Sequence, residues 1–81
     1  MVIETTNAKF LIESDQSNDG FVLIYSNSSD ELQRFFGSLN IHSDSNDNFP
    51  FKVCASKDEF ANALIIMVKE IDYSDSTFQS N

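Results

Sequence analysis

The sequence predicts an α+β two-layer sandwich, a three-stranded mixed sheet carrying two helices in the order ββαβα. Three observations lead there. Residues 8–14 alternate in polarity with the period of two expected of a strand. Residues 20–26, GFVLIYS, are apolar on both faces and rich in β-branched and aromatic side chains, which suggests a central strand covered on both sides. Two Ser-x-x-Glu boxes, Ser28 with Glu31 and Ser56 with Glu59, each open a segment of helical period.

In chain order, Val2 and Ile3 either extend the first strand or form a short separate piece. Phe10 and Ile12 define one face of that strand; Lys9, Leu11 and Glu13 define the other. The polar segment SDQSND followed by Gly20 is of the kind that joins antiparallel strands, so a hairpin is expected. Leu32, Phe35, Phe36 and Leu39 recur at i, i+3, i+4 and i+7 and predict a helix over Asp30 to Leu39, weakened at Gly37. Residues 40–48 read as a polar loop. FPFKVCA follows as a strand with Phe49, Phe51, Val53 and Ala55 on one face, and Pro50 places its start at an edge. The segment from Lys57 to Tyr73 predicts the longest helix, with Phe60, Leu64, Met67, Val68 and Ile71 on its core stripe. Ala61, Ala63, Ile65 and Ile66 make most of its circumference apolar. Apolar area is therefore left over, expected around Ala63 and Ile66, and a homodimer through helix 57–72 is one way to cover it. If the strand over 20–26 is central, the first connection is a hairpin and the second a right-handed crossover through the first helix. Residues 1–73 are expected to form one domain and 74–81 a flexible tail.

Composition narrows the function. Eighty-one residues with 41% hydrophobic content and eight Phe have the makings of one small core. Most of the aromatics belong inside it, Tyr25, Phe49, Tyr73 and Phe78 being the least securely placed. Cys54 is the sole cysteine, so no internal disulfide and no thiolate zinc site is available, and a reducing cytoplasm fits. No signal peptide and no apolar run of membrane-spanning length is legible. Thirteen Asp and Glu against five Lys and Arg give a formal charge of −8. Such a field repels nucleic acid and anionic membranes and favours basic surfaces.

The chemistry-bearing motifs are thin. Asp15, Ser17, Asp19 and Gly20 imitate the start of a calcium loop, but the twelfth position, where a bidentate glutamate would close it, is Ser26, and strands flank it. The second acidic cluster, residues 44–48, lacks the glycine as well. His42 and Cys54 are a possible base and nucleophile by arithmetic alone; a loop histidine and a small buried cysteine account for them. With two glycines the chain cannot build a phosphate cradle, and the adjacent acids Asp30 with Glu31 and Asp58 with Glu59 suit helix first turns. No catalysis and no cofactor is expected.

What this leaves is a binding protein acting through charge, most simply an inhibitor that occupies a basic surface of a nucleic-acid-handling protein, as carboxylates on a rigid scaffold can imitate a phosphate array. Glu13, Asp15 and Asp19 at the hairpin tip, Asp44 and Asp47 in the long loop, and Glu70, Asp72 and Asp75 after the second helix are the candidate contacts. In size, acidity and α+β pattern the whole chain resembles phage-encoded inhibitors of bacterial defence, anti-CRISPR and anti-restriction proteins among them. The resemblance is of overall character and implies a nuclease or CRISPR effector as partner, while assigning no residue. A self-associating structural or regulatory module and a toxin-neutralising immunity protein are the alternatives.

Overall fold

A computed structural model describes residues 1–44 and 48–71. The chain is α+β. Five strands, β1 (Val2–Glu4), β2 (Lys9–Ser14), β3 (Phe21–Ser26), β4 (His42–Ser43) and β5 (Phe51–Ser56), form one sheet in the order β1-β2-β3-β5-β4, with helices α1 (Ser29–Phe36) and α2 (Lys57–Met67) packed on it. Every neighbouring pair is antiparallel, so the sheet is neither three-stranded nor mixed. β1 stands as a strand of its own beside β2, and the two residues of β4, inside the segment read as a polar loop, supply the fifth strand and the change of sense. The crossover through α1 ends on β4, which runs in the direction of β3, and a second reversal at Pro50 then sends β5 back between them. Asp44 N–H donates to the Pro50 carbonyl at 2.7 Å across that reversal.

The alternation of each strand sorts its side chains between two faces. Ile3, Phe10, Ile12, Val22, Ile24, Val53 and Ala55 are buried on one face. There they meet Leu32 and Phe36 of α1 and Ala63 and Met67 of α2. Phe35 packs edge-on against Phe10, ring centroids 5.8 Å apart. Among the described residues no helix lies on the opposite face: Leu11, Leu23 and Tyr25 are half-buried and Val2 and Phe21 exposed. β3 is central, as its composition predicts, yet the described residues cover it on one side only.

Ser26 ends β3 on the core side and is fully buried. Its hydroxyl donates to the Lys9 carbonyl (2.9 Å) and accepts from Ser28 N–H (3.1 Å), so neither group is stranded. Ser28 then caps α1, its Oγ accepting from Glu31 N–H at 3.2 Å. The reciprocal half of that box is not made, because the Glu31 carboxylate pairs with Arg34 instead. α1 ends at Phe36, three residues before the predicted Leu39: Gly37 is a poor helix former, and Leu39 folds back with its N–H on the Phe36 carbonyl at 2.9 Å. At α2 the box is complete, with Glu59 N–H on Ser56 Oγ (3.1 Å) and Ser56 N–H on Glu59 Oε1 (2.9 Å).

α2 ends at Met67 rather than near Tyr73. Turns carry the chain to the far side of the sheet, where Thr6 N–H bonds the Glu70 carbonyl (3.1 Å) and Ile71 bridges Thr5 beside β1. Val68, predicted in the core stripe, is half exposed, because Ala63 and Met67 rather than Leu64 and Val68 centre the buried face. Tyr73 and Phe78 lie outside the described residues. Among the described residues no helix is long and apolar enough to cross a membrane.

Candidate partner-binding site

The hairpin between β2 and β3 closes through its own polar groups. Asp15 N–H donates to the Phe21 carbonyl (3.1 Å) and Phe21 N–H to the Asn18 carbonyl (3.2 Å). Asp15 folds its carboxylate over the turn, Oδ1 accepting from Ser17 N–H (2.9 Å) and Oδ2 from the Asn18 side-chain amide (3.2 Å). Gly20 sits at φ +84°, a conformation disfavoured for any residue with a Cβ, and lets the chain enter β3. The segment that imitates a calcium loop is thus a hairpin turn. Its first carboxylate is occupied by the turn's own donors, and among the described residues no group of three or more His, Cys, Asp or Glu could hold a metal ion.

The tip does not stand alone. Lys57 N–H donates to the Gly20 carbonyl at 3.0 Å, fastening the first turn of α2 to the hairpin. Cys54 lies on the open face of β5, exposed rather than buried as its apolar strand suggests, and its Sγ donates to Asp15 Oδ2 at 3.5 Å. The electrostatics agree with this proximity. The Ser17 amide, then the Asn18 side chain, hold the Asp15 carboxyl below its ordinary value. Desolvation first, then the hydrogen bond to Asp15 and the charges of Asp15 and Glu59, push the Cys54 thiol up. Cys54 therefore spends its proton on Asp15 and is held as a thiol, the opposite of what a nucleophile needs.

Glu13, Asp15 and Asp19 thus share one end of the sheet with Asp58 and Glu59. In the sequence Asp58 and Glu59 suit the helix dipole alone; only the Gly20–Lys57 contact shows that α2 starts beside the hairpin. Five carboxylates face one cationic side chain, Lys57, at this end. The amino group of Met1 lies nearby, donating to the Ile12 carbonyl at 3.1 Å.

The remaining candidates are elsewhere and are employed differently. Asp44 leaves β4 at the opposite end of the sheet, 3.7 Å from Lys52 Nζ. Glu70 follows α2 at that same far end and grips Arg34 through both carboxylate oxygens, one contact Nη1–Oε2 at 3.0 Å and the other Nη2–Oε1. Arg34 also holds Glu31 at 2.8 Å and lies 4.4 Å over the Phe35 ring, so Glu70 fastens the end of α2 to α1. Six-residue strands span roughly 20 Å, about two screening lengths at physiological salt, so the two ends do not act as one field. Asp47, Asp72 and Asp75 lie outside the described residues.

Away from the hairpin end, the other five described carboxylates, Glu4, Asp30, Glu31, Asp44 and Glu70, are set against four of the chain's five cationic side chains: Lys9, Arg34, Lys52 and Lys69. The carboxylates of Glu13 and Asp19 are engaged in no hydrogen bond or ion pair among the described residues. No protein-family model matches the chain, and no curated protein or solved structure matches it.

Proposed function

We propose that this is a non-enzymatic binding protein that inserts its acidic end, Glu13, Asp15, Asp19, Asp58 and Glu59, into a basic groove of a nucleic-acid-handling protein and so competes with the nucleic acid. The observation that carries the reading is the local excess of carboxylates at the hairpin end. Five carboxylates there meet two cations, the Lys57 side chain and the Met1 amino group. A concentrated field of this kind steers encounter with a cationic groove and excludes nucleic acid itself as the partner. Two fixed elements, a closed hairpin and a capped helix start, hold the carboxylates, so little ordering entropy opposes binding. Asp44 and Glu70, already paired within the fold, are not part of this surface.

The test is affinity capture from a bacterial lysate on the immobilised chain at low and high salt. The expected result is a nuclease, polymerase or CRISPR effector, released by high salt and by added duplex DNA or RNA. Capture should fall with the double substitution Glu13→Gln/Asp19→Asn and persist with Asp44→Asn. A partner insensitive to the Glu13/Asp19 pair, or one that binds nucleic acid and this chain simultaneously, overturns the proposal.

A further inference from the structure

The outer side of α2 poses a separate problem. Ile65 is 65% exposed, and Ile66 and Val68 are each 50% exposed. Ala61, Leu64, Ile65, Val68 and Lys69 line one shallow, almost wholly apolar depression. On a helix, Asp58, Ala61, Ile65 and Val68 follow one another at intervals of three, four and three, the spacing of a seam that meets another helix. The ends of this seam carry opposite charges. Asp58 stands in the first turn of α2 and Lys69 just beyond its last, and neither forms an ion pair within the described residues.

We infer that a second copy of this chain packs on this seam, α2 against α2, antiparallel about a twofold axis near Leu64. The charges select both occupant and direction. An antiparallel pair brings each Asp58 to the Lys69 of the other copy and opposes the two helix dipoles. A parallel pair would set Asp58 against Asp58 and Lys69 against Lys69. Near the axis the Ile65 side chains of the two copies adjoin, flanked by Ala61 and Val68. Eleven helical residues span about 16 Å, so the contact is smaller than that of a stable obligate dimer and forms at roughly micromolar or higher concentration. The inference does not rest on the proposed function: it uses the flank of α2, and the dimer leaves Glu13, Asp15, Asp19 and Glu59 of each copy open at opposite ends. Asp58 alone is common to both surfaces.

Sedimentation equilibrium of the full chain, from about 10 μM to about 1 mM, tests it, with circular dichroism verifying that each variant folds. The wild type should pass from monomer toward dimer. Ile65→Glu should weaken the dimer at least about tenfold, since it removes an apolar side chain from each side of the axis. Asp58→Lys and Lys69→Asp should each be monomeric by like-charge repulsion. An equimolar mixture of the two should dimerise again, because both end contacts of the mixed dimer then join one ammonium to one carboxylate. A wild type that stays monomeric throughout, a dimer indifferent to Ile65→Glu, or single charge variants that dimerise like the wild type would each overturn the inference.

Discussion

Replacing Ser26 with Ala removes one oxygen atom from the core, and a count of apolar area alone expects no loss. The hydrogen bonds expect otherwise. The Ser26 hydroxyl is fully buried, donates to the Lys9 carbonyl at 2.9 Å and accepts from Ser28 N–H at 3.1 Å. Lys9 keeps a second partner, since Asn27 N–H reaches the same carbonyl at 3.4 Å. Ser28 N–H has no substitute, because the Glu31 carboxylate that could have reached back to it is held by Arg34. The variant therefore loses one good bond and strands one partly buried donor. The expected cost is about 2 kcal/mol, the lost bond plus the desolvation of the orphan. For a domain of this size that lowers the Tm by about 8–16 °C. Urea and thermal unfolding followed by far-ultraviolet circular dichroism measure it, and exchange of the Ser28 amide should quicken in the same variant. Stability within about 0.5 kcal/mol of wild type would refute the reasoning and show that the site is governed by apolar packing.

Three further outcomes follow from the geometry. Gly20→Ala should destabilise the fold by about 1 kcal/mol through its positive φ alone, since an added Cβ would have no atom within 4 Å, and Gly20→Asn should cost less; chemical denaturation distinguishes them. Cys54 should react slowly with iodoacetamide at neutral pH and faster in Asp15→Asn, because removing the negative charge lowers the raised thiol pKa and enlarges the thiolate fraction; an unchanged rate would mean that the hairpin tip does not rest on β5. Arg34 holds the Glu70 carboxyl below its ordinary 4.5, so as pH falls the unfolded chain takes up this proton first. The ion pair's contribution is full above about pH 4.5 and lost below it as the pH passes through the folded-state value, and acid titration of Glu70→Gln should show a shallower decline in that window than wild type.

Legible in the amino-acid sequence were the local elements that depend on neighbours a few residues apart: the period-two strands around Phe10 and Ile24, the caps at Ser28 and Ser56, and the turn chemistry of Asp15 and Gly20. These are short-range rules of backbone geometry and hydrogen bonding, and they hold wherever the segments end up. It also determined the acidity. Tertiary structure decided what required knowing which segments meet. His42 and Ser43 carry no strand signal of their own and become β4 only because Phe51 and Lys52 offer an open edge, which turns the expected mixed sheet antiparallel. Asp44 and Glu70 read from the sequence as free charges, yet Lys52 lies beside the first and Arg34 grips the second from another element. Asp58 and Glu59 read as helix-start acids until the contact of Lys57 with Gly20 placed them beside the hairpin. Val68 and Ile65 show the same division: both are apolar at positions where a nearly all-apolar helix offers no periodic contrast, so only the sheet could choose which side of α2 to bury.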